Sequence, residues 1–255
     1  MHDLLNHPLI SQRYFFPRRG FLPEPVVVEV EGAQLACYYH EVDPQAKTLV
    51  HFHGNGEIVD DWLDGFVEAI AQIGCNCFLA EYRGYGSSTG EPQLGKMLED
   101  VKATIAALQL PPEQLLIFGR SVGAIFALEA VRLFPGVAGL VIESGIADVR
   151  ERLLLRVHPQ ELGVSLPEFD RAVDAHLNHQ QKIAAYPGPL LVMHTRNDGL
   201  VGVHHAEHLY QWASGRKELK IFPQGNHNDI MFVNAQEYFS TLYRFIDSLD
   251  HYREQ

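Results

Sequence analysis

The 255-residue chain is poor in cysteine, poor in positive charge and free of long apolar runs. Three cysteines do not make a disulfide framework at this length. A reducing, cytoplasmic setting is therefore expected. Lys and Arg number 20 against 32 Asp and Glu, for a net charge of −12. A nucleic-acid binder needs a basic face, and a sensor of anionic lipid needs basic clusters, so both classes lose support. No stretch approaches the ~18 apolar residues of a membrane-spanning helix. The first twenty residues hold no apolar core followed by a small-residue cleavage site, so no signal peptide is expected. There is no internal repeat, no low-complexity tract and no Pro/Gly/Ser-rich linker, and 1–255 reads as one domain. Neither a phosphate-binding G-x-x-x-x-G-K-[ST] nor a G-x-G-x-x-G after a strand occurs, so no nucleotide cofactor is expected.

What is present is alternation. Prolines at 8, 17, 23 and 25 break the first residues, which suits an arm lying on a folded body. VVVEV and AQLACYYH flank Glu31-Gly32, which predicts an antiparallel hairpin. Six further apolar runs follow, within Thr48–His51, Cys75–Tyr82, Gln114–Phe118, Val137–Ile142, Leu190–His194 and Leu219–Phe222. Helical spacing runs through Asp60–Ile73, Leu94–Leu108, Val122–Phe134, His204–Ala213 and Glu237–Leu249. Runs such as LLIF and LLVM are apolar throughout, as strands covered on both faces should be. The expectation is an α/β fold: a mostly parallel eight-stranded sheet with an antiparallel N-terminal hairpin at one edge and helices on both faces. Residues 146–187 carry helix-like pieces and no strand, and are expected to form a short helical lid.

G-x-S-x-G occurs twice, at 119–123 and at 86–90. Nucleophilic chemistry needs the serine on a sharp strand-to-helix turn, with its hydroxyl above the sheet. Ser121 follows LLIFGR directly and precedes VGAIFALEAVRLF, so it is the nucleophile candidate. Its structural alternative is a helix cap. Ser88 lies beyond its strand and leads into Glu91-Pro92, so it reads as a turn residue.

A hydroxyl needs a base to take its proton, and the base belongs on a loop at the C-terminal edge of the sheet. Among 14 histidines, position selects His227, on PQGNHND after the last strand. The acid that orients it is Asp198, on RNDG after the penultimate strand, with Glu143 and Asp148 as rivals one strand earlier. Backbone N–H groups must hold the oxyanion of acyl transfer. Val122, at the helix start, is one expected donor. Asn55, on the loop His53-Gly54-Asn55-Gly56-Glu57, is the other, with the Gly54 and Gly56 N–H groups as alternatives.

Together, HFHGNGE, EYRGYGSSTGEP, FGRSVG, HTRNDGLV and GNHND resemble the α/β-hydrolase superfamily over nearly the whole chain. Among its branches, the chain is most similar to short-lidded serine hydrolases related to acylglycerol lipases and serine aminopeptidases. EYRGYGSSTG is similar to the family's D-x-R-G-x-G-x-S segment with Glu81 in place of Asp, and the resemblance implies that it shapes the site wall. The resemblance implies an α/β-hydrolase fold and a Ser-His-Asp mechanism on a small-molecule acyl substrate, without a cofactor or metal. Carboxylic ester or thioester is the favoured substrate and peptide amide the second. A silent binding protein on the same fold is the rival of another class, and a cofactor-free haloperoxidase-like activity ranks below it. Cys75 and Cys77 are expected in a packed face and His204/His208 on a solvated helix face, with neither pair holding a metal. His53 is expected to make a structural hydrogen bond.

Overall fold

The structure is a computed structural model and describes residues 2–251. The segment read as an irregular arm begins with two short helices, α1 (His2–Leu5) and α2 (Pro8–Tyr14). Pro8 opens α2, where its missing N–H costs nothing, and the His7 ring caps the helix by accepting from Leu9 N–H. The proline marks a helix start here, not a break. Leu5, Ile10, Tyr14 and Phe15 are buried and pin the arm to the body.

The hairpin follows as β1 (Val26–Val30) and β2 (Ala33–His40), turning through Gly32 at φ +74°. Then come β3 (Thr48–Phe52), α3 (Phe66–Gln72), β4 (Asn76–Ala80), α4 (Leu94–Ala106), β5 (Leu115–Arg120), α5 (Gly123–Leu133) and β6 (Gly139–Glu143). The helix expected across 60–73 is split. A 3₁₀ turn at Val59–Trp62 precedes α3, and Gly65, at a positive φ of +78° that glycine adopts readily, separates them. Between β6 and β7 (Leu190–Thr195) lie α6 (Val149–Leu154), α7 (Leu166–Leu177) and α8 (His179–Ala185), with no strand. The chain continues with α9 (His204–Trp212), β8 (Lys217–Phe222), α10 (Ile230–Val233) and α11 (Ala235–His251).

The eight strands lie in the order β1-β2-β4-β3-β5-β6-β7-β8. The pairs β1–β2 and β2–β4 are antiparallel and the rest parallel. Side chains alternate across the sheet. Val50, Phe52, Phe78 and Ile117 enter one core with α4 and α5, whereas Leu49, Leu79, Leu116 and Phe118 enter the other with α3 and α11. Cys75 and Cys77 are buried in this second core, and none of the three cysteines forms a disulfide. From β3 the chain steps to β4 on one side and then to β5 on the other. The loops leaving β3 and β5 therefore diverge, opening a crevice at the carboxyl ends of adjacent strands, where ligands bind in open α/β sheets.

Candidate active site

Three of the expected site residues lie at that crevice: Asn55 after β3, and Ser121 and Val122 after β5. Ser121 stands between the end of β5 and α5, with φ +54°. A left-handed conformation costs a non-glycine residue about 1–3 kcal/mol, so the surroundings must impose it. They do so through close packing. A Cβ on Gly123 would stand 2.0 Å from the Phe52 carbonyl oxygen, and one on Gly119 would stand 2.5 Å from the Ala127 Cβ. Only glycine at both places lets α5 lie this close to β3 and β5. Ser121 N–H donates to Glu143 O at 2.8 Å, which fixes the turn against β6.

His227 comes from the loop after β8. Gly225 turns the chain at φ +86°, and Asp229 accepts from Asn226 N–H at 2.6 Å, giving a compact loop. The His227 Nε2 lies 2.9 Å from Ser121 Oγ and its Nδ1 lies 2.7 Å from Asp198 Oδ2. Asp198 is held in turn, because its Oδ1 accepts from the N–H groups of Leu200 (2.9 Å) and Val201 (2.8 Å). Burial pushes its carboxyl up. The hydrogen bond and charge of His227, with those two backbone donors, outweigh burial and hold it below the usual carboxylate range. The structure thus brings Ser121, His227 and Asp198 into one hydrogen-bonded row. The rival acids are engaged elsewhere. Glu143 is buried against Arg120 and the Tyr238 hydroxyl, and Asp148 caps α6 by accepting from Glu151 N–H.

Neither the Val122 nor the Asn55 N–H is engaged in an internal hydrogen bond among the described residues. Val122 sits at the first turn of α5, where the helix dipole favours negative charge. The Asn55 side chain anchors its loop to the N-terminal arm. Its Oδ1 accepts from Phe16 N–H (3.0 Å) and from the Tyr85 hydroxyl (2.9 Å), and its Nδ2 donates to Tyr14 O. His53, just before it, donates from Nδ1 to Gly54 O (2.9 Å) and from Nε2 to Glu81 (2.7 Å). Acceptors at both nitrogens favour the protonated ring. Burial alone would lower its pKa, but the Glu81 carboxylate reverses the shift and raises it. Glu81 also accepts from Val59 N–H (2.9 Å), so EYRGYGSSTG buttresses the β3 loop. His51, two residues earlier, is packed among Trp62, Phe66 and Phe118, and burial holds it neutral.

Three neighbours of the site were not anticipated. His194 donates from Nε2 to Val201 O at 2.8 Å and stands 3.4 Å from Asp198 Oδ2. Tyr85 carries Asn55. Arg120, the variable residue of the motif itself, donates to His227 O at 2.9 Å. In the sequence Arg120 and His194 each carried a signal, a titratable residue near the end of an otherwise apolar strand, and Tyr85 had none.

A cavity of about 190 Å³ opens beside Arg120 and Asn228, with Trp62, Phe66, Ile230 and Phe232 as apolar walls. His204 and His208 are both exposed on α9, as expected, and at its start the ligand atoms of His204, His205 and Glu151 gather within 4.8 Å of one another. They fit a cation poorly. His205 Nδ1 accepts from the N–H groups of Ala147 (3.3 Å) and Asp148 (3.4 Å), which places the ring proton on Nε2, the atom a metal would need.

Residues 43–181, more than half of the chain, match the family model Hydrolase_4, described as serine aminopeptidase, S33. The chain belongs to this family, within the α/β-hydrolase superfamily. It is 27% identical over 195 residues to the uncharacterized protein YfhR of Escherichia coli (strain K12), an alignment covering 73% of this chain and 65% of that one. It is 24% identical over 223 residues to alpha/beta hydrolase domain-containing protein 17B of Homo sapiens, covering 85% and 72%. Its fold matches the Pyrococcus furiosus esterase Pf2001 with a TM-score of 0.70 at 18% identity, covering 92% of this chain and 98% of that one. Among the described residues, no helix is long and apolar enough to cross a membrane.

Proposed function

We propose that the protein is a serine hydrolase that cleaves a carboxylic ester or thioester through an acyl-enzyme. The row Ser121 Oγ–His227 Nε2–Nδ1–Asp198, at 2.9 and 2.7 Å, carries this reading. Ser121 Oγ attacks the acyl carbon and its proton passes to His227 Nε2. The N–H groups of Val122 and Asn55 hold the oxyanion. As the bond to the leaving group breaks, His227 returns the proton to the departing alcohol or thiol. Water then adds through its oxygen to the acyl carbon while its proton passes to His227, and the bond to Ser121 Oγ breaks as His227 returns that proton to Oγ, releasing the acid and free Ser121. Asp198 stays ionised throughout and fixes the imidazole tautomer.

The helices of 146–187 cover the carboxyl edge as a lid in this reading. Three buried cysteines that form no disulfide suit a reducing compartment, and we place the chain in the cytoplasm. Peptide amide is the second reading, favoured by the description of the matched family.

The test is covalent labelling. A fluorophosphonate probe labels the wild type and not Ser121→Ala, and short-chain p-nitrophenyl esters are turned over only by the former. Labelling that persists in Ser121→Ala, or inertness of the wild type to the probe and to an ester, thioester and amide panel, overturns the proposal.

A further inference from the structure

The residue before the candidate nucleophile is an arginine with 5% of its surface exposed. Its guanidinium reaches three segments at once. Nη1 lies 2.9 Å from Glu57 on the loop after β3, Nε lies 3.1 Å from Glu143 at the end of β6, and Nη2 donates to His227 O at 2.9 Å. Both glutamates pass the link onward. Glu57 accepts from Gly54 N–H at 2.7 Å, and Glu143 accepts from the buried Tyr238 hydroxyl of α11. Trp62 lies beneath, with the guanidinium carbon 6.0 Å from its ring. A Cβ on Gly54 would stand 2.9 Å from Arg120 Nη1, so the charge packs directly on the loop that carries Asn55.

Resting on the serine-hydrolase reading, we infer that Arg120 is a positioning residue: it locks the oxyanion loop and the His227 loop in one geometry about Ser121. Stability alone does not account for it. Buried ion pairs and triads are commonly matched or bettered by apolar residues of similar volume. What a guanidinium adds is a rigid planar fork whose five donors hold fixed directions, which neither lysine nor an apolar side chain reproduces. The fork meets the backbone of the base loop at one tine and, through Glu57, the backbone of the oxyanion loop at another. Those loops matter most when charge develops on the substrate oxygen and on the imidazole, so their alignment acts on the transition state more than on substrate binding.

The experiment compares the wild type with Arg120→Lys, Arg120→Met, Glu57→Gln and Arg120→Lys/Glu57→Gln in p-nitrophenyl ester hydrolysis. Competent sites are counted by fluorophosphonate titration run to completion. A displacement of about 1 Å costs on the order of 10²-fold, so Arg120→Lys is expected to lose about 10–100-fold in kcat per titrated site. KM is expected to stay within about threefold, because no substrate contact is removed. Glu57→Gln lowers kcat in the same way, and the double variant loses less than the product of the single losses, since both act through one link. A merely structural role lowers the number of titratable sites and leaves kcat per site unchanged. The inference is overturned if kcat per site stays within about twofold of wild type in Arg120→Lys and Glu57→Gln, which decide the matter even if Arg120→Met fails to fold. A wild type without Ser121-dependent labelling overturns the hydrolase reading itself, an outcome distinct from failure of the variants.

Discussion

Residues 119–123 and 86–90 spell the same pattern, G-x-S-x-G, and the fold treats them in opposite ways. Ser121 ends a central strand and starts a helix, its backbone is forced to φ +54°, and its hydroxyl faces an imidazole at 2.9 Å. Ser88 follows a strand by several residues, and its Oγ accepts from the buried Ala36 N–H at 2.9 Å. Its own N–H closes a turn onto Tyr85 O at 2.9 Å. The glycines differ as well. Gly119 and Gly123 remove side-chain bulk where α5 crosses the strands, whereas Gly86 and Gly90 supply turns at φ +51° and +79°. A hydroxyl tied into a β-edge has no base and no free approach. The comparison teaches that the serine alone carries no chemistry. The strand-to-helix junction and the partner at its hydroxyl distinguish the two.

The second segment still serves the first. Glu81, Tyr82 and Tyr85 reach His53 Nε2, His53 O and Asn55 Oδ1, so the loop containing the unreactive motif braces the loop expected to hold the oxyanion. Four substitutions sharpen the contrast. Ser121→Ala has the largest effect: ester turnover falls by about 10⁴-fold or more, measured as kcat on p-nitrophenyl esters. Asp198→Asn comes next. The amide keeps the shape but presents an N–H to His227 Nδ1, forcing the wrong tautomer, and kcat falls by roughly 10²–10⁴-fold with little change in thermal stability. Tyr85→Phe removes one hydroxyl from Asn55 and from Phe16 N–H; kcat is expected to drop by about three- to tenfold at unchanged KM, less than the 10²–10³ of a direct oxyanion donor. Ser88→Ala is the smallest in activity: kcat is unchanged, while urea unfolding reports a loss of about 1–3 kcal/mol from the orphaned Ala36 N–H. A Ser88→Ala variant that lost activity without losing stability would erase the distinction drawn between the two motifs.

Much of the architecture was legible because its signals are local. The apolar runs with Gly and Pro between them located all eight strands, with ends displaced by one or two residues, and the Glu31-Gly32 turn located the hairpin. Errors arose where a breaker residue has two uses. Pro8 starts a helix instead of interrupting one, and Gly65 divides a segment whose apolar spacing looked continuous. The site was legible to the same depth. Ser121, Asp198 and His227 could be picked as candidates because each follows a strand, and parallel strands deliver such loops to one edge, where the three side chains meet. His194, Tyr85 and Arg120 escaped because their partners lie in other segments, and no periodicity reports a contact between loops.

The amino-acid order by itself determined the alternation of strand and helix, the loops that end at the carboxyl edge and the glycine pair around Ser121, because backbone conformation and burial of apolar faces are set by neighbours along the chain. Only the tertiary structure decided which acid meets His227, which way the His53 and His205 protons point, and that one guanidinium joins the loops of Asn55, Glu143 and His227. Hydrogen bonds and buried charges are satisfied by whatever is near in space, and that nearness exists only once the sheet has formed.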